Sequence, residues 1–265
     1  MTALVRAEWT KLFTTRVWIG LLAGACVLVA GFVVLFTSFA GDTPGSAQGG
    51  PPGGLPPVGT EQFEQLVLAI GANVTVLFLI LGIIGMTQEY RHRTATPTFL
   101  TTPRRGRVVV AKLTAYALVA VPFALVVVAV NYGVAAVAAG ARGAVPELTG
   151  DNLRVLACSG LALVIYTVIG VGLGALVRNQ VGAIVGGLVY LFVVEAIVRQ
   201  ISAIAGAYKW LPGGALEAMT TTFRGGPAAV APDLLERWQG GLLLLGYGLV
   251  AALLGTLLAV RRDVV

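Results

Sequence analysis

The chain has 265 residues, of which 57% are apolar and 11% charged, with a formal net charge of +6. Counting its glycines and leaving out its tyrosines, the apolar share is about 68%, against about 45–50% in soluble globular proteins, whose charged share is about 25%. A water-soluble domain of this length cannot hide that much apolar surface. Two cysteines and no G-X-Y period also exclude a disulfide scaffold and a collagen, and what remains is an integral membrane protein.

Residues 1–17 form an amphipathic helix on a helical wheel. Val5, Trp9, Leu12 and Phe13 share one side, and Arg6, Glu8, Thr10, Lys11, Thr14 and Thr15 cover the other. Such a segment lies in the membrane interface, with Trp9 at headgroup depth and Lys11 and Arg16 near anionic lipid. It serves either as a topology-setting anchor or as a docking element. The apolar run Trp18–Phe39 follows. Ser38-Phe39-Ala40 loosely resembles a cleavage site, but the run is about 22 residues long against about 7–15 for a signal-peptide core, so it reads as a retained span.

Five more runs are long enough to cross a hydrocarbon core about 30 Å thick. They are Leu66–Met86, Leu113–Ala139, Val155–Val177, Val181–Val198 and Gly240–Val260. These are continuous apolar runs and not short alternating segments, which excludes a β-barrel. Pro122 falls inside the long third run and predicts a tilt or kink there. The Gly/Pro-rich stretch 41–59 reads as a loop, Thr60 as a helix cap, and Asp151 or Asn152 as the cap of the fourth span. Cys26 and Cys158 fall inside spans and read as small buried hydrophobes.

The basic residues set the orientation. With the N-terminus cytoplasmic, the inner segments hold Arg6, Lys11, Arg16, Arg91, Arg93, Arg104, Arg105, Arg107, Lys112, Arg178, Arg261 and Arg262, with only Glu8, Glu89 and Asp263 as acids. The inner side is then +9 and the outer side −3, which accounts for the net +6. The fold class is an all-α integral membrane protein of six transmembrane helices forming one domain, 1–265, with both termini in the cytoplasm. The inner loop 87–112 carries half of the inner positive charge and the single histidine, His92. Pro97 and Pro103 bracket a turn exposing Phe99 and Leu100, an apolar knob between basic flanks that suits a partner's cleft. The alternative is a solvated loop whose charge only orients the chain.

Glu195 lies 14 residues after Val181, about 21 Å into the bilayer at about 1.5 Å per residue. Arg199 follows at i+4. Ionisable groups at membrane depth usually face a bundle interior or a water-filled cavity. The pair therefore reads either as a gate or dimer-interface element, or as a self-neutralised ion pair at the outer surface. Gly20–Gly24, Gly170–Gly174 and Gly182–Gly186 match the G-x-x-x-G packing pattern, but with 35 glycines chance pairs are expected and no helix face is singled out. Asn73 and Asn131 read as interhelical hydrogen bonds.

The run Glu89-x-Arg91-x-x-Thr94, then Phe99-Leu100, Pro103-Arg104-Arg105 and Lys112, resembles the first cytoplasmic loop of ABC-2-type ABC transporter permeases, actinobacterial members especially. Glu8-x-x-Lys11 before the first span, the closing Arg261-Arg262-Asp263 and the six-span layout fit the same family. Family members often have a small residue before the threonine, where this chain has Arg93. The resemblance implies an N-terminal elbow helix at 1–17 and a coupling helix within 87–112 that docks on a separate cytoplasmic ATPase. It also implies a partly re-entrant helical segment within 199–239 and pairing of two permease halves, as homodimer or heterodimer. On that reading ATPase docking falls to Glu8, Lys11, Glu89, Arg91, Arg93, Thr94, Phe99, Leu100, Pro103, Arg104, Arg105 and Arg107, with Glu195 and Arg199 as gate or interface candidates. ATP and magnesium would sit on the partner, present in two copies, and the permease itself would bind no cofactor or metal.

The chain has no G-x-x-x-x-G-K-[ST] loop, no G-x-S-x-G elbow and no H-E-x-x-H, and its one histidine lies away from membrane depth. It reads as a transport subunit of the cell membrane in contact with lipid, not an enzyme. No aromatic platform supports nucleic-acid binding. Two rivals remain: an ion-gradient-driven secondary transporter, for which Glu195 is the sole candidate carrier group, and a non-transporting anchor or sensor subunit.

Overall fold

A computed structural model describes residues 2–40, 55–91, 105–177, 179–201, 205–220 and 234–261. The described residues are helical or irregular, and none of them lies in a strand. A chain of long apolar runs has this outcome forced on it, because in lipid every backbone N–H and C=O must be bonded within its own segment.

The helices are α1 (Thr2–Thr14), α2 (Val17–Phe39), α3 (Glu61–Ala69), α4 (Thr75–Arg91), α5 (Arg105–Gly140), α6 (Gly150–Val177), α7 (Gln180–Val189), α8 (Glu195–Gln200), α9 (Pro212–Thr220) and α10 (Arg237–Arg261). Six helical stretches are long and apolar enough to cross a membrane: Val17–Phe39, Glu61–Glu89, Gly106–Gly140, Gly150–Val177, Gln180–Gln200 and Arg237–Leu257. They match the six runs read from the sequence, and most extend beyond them. The long α5 runs unbroken through Pro122. Residues 87–91 belong to α4 and 105–112 to α5, so both ends of the 87–112 loop are helix, not loop.

The second and fourth spans are 67% and 56% buried over their apolar windows, whereas the first and fifth are only 17% buried. α4 and α6 are therefore the centre of the bundle. α10 and α5 pack on α6, and α2 packs on α5. Large apolar side chains on α2 (Val27, Leu35), α7 (Val181, Val185) and α10 (Leu249, Leu253) face outward. So much outward apolar surface is what a multi-pass membrane protein presents to lipid.

The central contact depends on glycines. A Cβ at Gly82 would collide with the carbonyl of Thr167, and one at Gly170 with the carbonyl of Leu79, so α4 and α6 touch backbone to backbone. A Cβ at Gly174, on the same face, would lie 3.0 Å from the Ile83 carbonyl, while Gly172 turns to α10 at Ala251. Of the three sequence pairs, only Gly170–Gly174 makes a tight contact. Gly20 and Gly186 have nothing within 4 Å.

Two spans are interrupted in ways their hydropathy did not reveal. The second changes from α3 to a tighter 3₁₀ turn at Ile70–Val74 before α4. Asn131 of α5 donates Nδ2–H to the Leu68 carbonyl at 2.7 Å, supplying the partner that the break demands. This is the interhelical bond expected of Asn131, whereas Asn73 is exposed on a cavity wall. The fifth span widens into a π-helical turn at Tyr190–Val194 between α7 and α8.

Thr60 caps α3 as expected, accepting from the Phe63 N–H at 3.3 Å. For the fourth span the capping oxygen is Thr149, which accepts from the Asn152 N–H at 3.4 Å. Asn152 does not cap. Its amide bridges Glu64 and the Glu147 carbonyl, both at 2.7 Å, tying α3 to the start of α6.

Candidate functional site

Two polar groupings stand out against the apolar bundle. The first joins α1 to the facing ends of α4 and α5. Lys112 is fully buried. Its ammonium donates to Glu8 Oε2 at 2.6 Å, to the Gly85 carbonyl at 3.2 Å and pairs with Glu89 Oε1 at 3.2 Å. Two of its three N–H donors go to Glu8 and the Gly85 carbonyl, with Glu89 beside them as an ion-pair partner. Lys11 reaches Glu8 Oε1 at 2.8 Å and Glu89 Oε1 at 2.7 Å. Glu8 and Glu89 are 4% and 5% exposed. Two acids and two bases thus cancel formally, which is what allows Glu8, Glu89 and Lys112 to be held away from water while Lys11 stays partly exposed. Burial pulls the pKa of Lys11 down, but its bonds to Glu8 and Glu89 outweigh that and hold it above the ordinary lysine value.

The helical-wheel reading of α1 is corrected here. The helical wheel puts Glu8 among the polar residues of α1, opposite Val5, Trp9, Leu12 and Phe13. The structure turns Glu8 and Leu12 inward and leaves Trp9 and Phe13 exposed. The cause is Lys112, whose buried ammonium draws the carboxylate in. Trp9 stays anchored at one edge, donating Nε1–H to the Ala115 carbonyl at 3.1 Å. An aromatic series then runs from Phe13 to Trp18 at 5.3 Å and from Trp18 to Phe123 of α5 at 5.6 Å.

Of the docking residues read from the sequence, Glu8, Lys11 and Glu89 meet in this cluster and Arg107 is exposed one turn inside α5. Arg91 ends α4 and Arg105 begins α5. Their side chains, and Arg93, Thr94, Phe99, Leu100, Pro103 and Arg104 altogether, lie outside the described residues. Sequence reasoning gave Lys112 no place among the site residues. Its signal was a lysine set inside the apolar run Val108-Val109-Val110-Ala111-Lys112-Leu113.

The second grouping surrounds Glu195, the one buried residue of α8, at 6% exposed. Glu195 Oε1 accepts the Gly213 N–H at 2.9 Å. A Cβ at Gly213 would collide with Glu195 Oε2, so glycine is what lets the carboxylate sit there. The i,i+4 pairing of Glu195 with Arg199 is not what forms. Arg199 turns instead to Glu217 of α9, at 3.4 Å, and lies over the Tyr208 ring at 5.5 Å. Tyr208 donates its hydroxyl to the other oxygen of Glu217 at 3.0 Å. The fold of 205–220 back toward α8 brings Glu217 within reach of Arg199, 18 residues away, and Gly213 equally close to Glu195.

Glu195, Tyr166 and Asn73 line one cavity of about 420 Å³, with Phe36, Leu191 and Phe192 among its apolar walls. The widened turn at Tyr190–Val194 supplies Leu191 and Phe192 and delivers Glu195 to the interior side of its helix. Such π-helical turns recur at functional sites. α9 closes the far side by packing on α10, where Gly240 fits under the Ala215 carbonyl.

No protein-family model matches the chain, and no curated protein matches it.

Proposed function

We propose that the chain is the membrane-spanning subunit of an ATP-driven ABC transporter of the ABC-2 type, exporting a drug, lipid or other amphiphile while a separate ATPase hydrolyses ATP. The observation that carries this reading is the buried cluster Glu8–Lys11–Glu89–Lys112. It clamps α1 to the last turn of α4 and the second turn of α5, the two helices that bracket the basic segment 92–104. A force applied to that segment is passed to α1 and to two spans together, because they are joined by short ionic bonds. That is the mechanical property a coupling element needs.

On this reading α1 is the interfacial elbow, both termini are cytoplasmic, and the bundle sits in the cytoplasmic membrane with its +9 side inward. Arg91, Arg104, Arg105 and Arg107 steer the ATPase, with Phe99 and Leu100 as apolar anchors. Glu8 and Glu89 act through the helices they hold in place. Segment 199–239 is partly re-entrant, and two such subunits, alike or different, pair over two ATPase copies. Nucleotide-driven closure of the ATPases would move the joined elements as a rigid body and switch the cavity between its two faces.

The buried Glu195 favours one further reading, a carrier driven by an ion gradient. Co-purification with the products of neighbouring genes separates the two. An ATPase is expected in the complex, with vanadate-sensitive flux. Reversing Arg104, Arg105 and Arg107 to Glu is expected to reduce the ATPase recovered by roughly tenfold while the subunit itself remains folded. A complex lacking any ATPase, with gradient-driven flux, would overturn the proposal; an ATPase without flux would point to an anchor or sensor subunit.

A further inference from the structure

The cavity beside Glu195 has an unbalanced charge. Arg199 and Glu217, at its rim, neutralise each other at 3.4 Å. Among the described residues Glu195 has no such partner. Its only hydrogen bond among the described residues is the Gly213 N–H on Oε1, and Oε2 accepts none. Counted over the described residues that line it, the cavity carries a formal charge of −1 in surroundings where charges are normally paired.

Two further groups match a cationic guest. Tyr166 lines the same cavity; it is 2% exposed, and its hydroxyl is buried with no hydrogen-bond partner among the described residues. Buried hydroxyls are seldom left so, and this one offers an unused oxygen acceptor on a residue that shares the cavity lining with Glu195. Asn73 is exposed on the same wall and adds an amide oxygen. The remainder of the lining is largely apolar. Phe192 contributes to it and is 63% exposed. The volume of about 420 Å³ falls within the range of small-molecule sites, about 300–1,000 Å³.

We propose that this cavity binds the ammonium group of a hydrophobic amine, with Glu195 as counter-ion, the Tyr166 oxygen as second acceptor and the apolar body lying along Phe36, Leu191 and Phe192. An ammonium has up to three donors for these oxygens, and its charge balances the carboxylate. A neutral amide of the same shape would leave Glu195 unpaired. An anion would meet the carboxylate directly. This deepens the transporter reading by naming its substrate class, and it rests on that reading only for what the bound molecule is there to do.

The test is a binding titration on the purified full chain in phosphatidylcholine nanodiscs. The probes are dansylcadaverine, which carries a primary ammonium, and its N-acetyl derivative, which is neutral. The expected result is at least roughly tenfold tighter binding of the ammonium probe, a preference that Glu195→Gln abolishes while the melting temperature confirms folding. Equal binding of the two probes to the native chain would overturn the proposal, as would a preference that survives in Glu195→Gln. Should that variant fail to fold, the native-chain comparison decides alone, supported by Gly213→Ala, which displaces the carboxylate and is expected to lower the preference. Adding phosphatidylethanolamine distinguishes the source: competition assigns the site to a lipid headgroup, and its absence to a diffusible amphiphilic amine, the cation site standing in both. Loss of the preference leaves ATPase co-purification untouched, so the two proposals fail separately.

Discussion

Lys112→Met is expected to destabilise the protein by about 3–5 kcal/mol, the typical effect of removing one member of a buried ion pair and stranding its partner. Lys112 is fully buried and satisfies Glu8 and Glu89 at once. Without it the two carboxylates share, among the described residues, only the half-exposed Lys11, whose side chain is 39% accessible. The expected sign is a large drop in melting temperature in detergent, together with faster proteolysis of α1. Lys11→Met is expected to cost much less, because water partly replaces its ammonium. The double variant Glu8→Gln/Lys112→Met removes one acid with one base and is expected to recover part of the loss. A Lys112→Met protein that melts with the native one would show that the cluster contributes nothing to holding α1 in place.

Gly170→Ala is expected to cost at least about 1–3 kcal/mol, the usual range for overpacking. The added methyl would run into the Leu79 carbonyl and lie 3.1 Å from the Gly82 Cα, and both are backbone, which cannot swing aside. Relief requires α4 and α6 to separate, and these are the most buried spans. Gly82→Ala is expected to behave alike, since its methyl would meet the Thr167 carbonyl. Gly20→Ala and Gly186→Ala are the controls. Each has open space around it, and each is expected to be neutral or to gain up to about 1 kcal/mol from helix propensity. Thermal unfolding of the four variants in one detergent checks the order, and equal effects across the four would contradict the α4–α6 contact.

Both predictions concern features that local sequence reading could not rank. All three G-x-x-x-G pairs looked alike, because a sequence motif records spacing along one helix and not what the opposite helix presents. Only the packing of α4 on α6 distinguished Gly170 and Gly174 from Gly20 and Gly186. In the same way Glu195 and Arg199 had favourable i,i+4 spacing, yet each found a better partner in the returning segment 205–220. An i,i+4 pair contributes only about 0.2–0.5 kcal/mol, too little to hold two side chains against alternatives offered by tertiary contact. The Glu195 cavity was legible only as one acidic residue at membrane depth. Its walls come from α2, the α3–α4 break, α6, the π-helical turn and α9, which no single stretch of chain contains.

What the sequence determined by itself was the number and position of the spans. Each depends on a local property, about 20 consecutive apolar residues, that lipid converts directly into a helix. The asymmetric distribution of basic residues was equally visible, since charge is counted residue by residue. What the tertiary structure alone decided was which side of α1 faces inward. Polarity puts Glu8 with the polar residues of α1, and by transfer free energy alone a carboxylate belongs in water. Lys112, 104 residues further along, reverses the sign by offering an ammonium at 2.6 Å inside the bundle. Burial of a charge depends on its partner, and the partner is set by the fold.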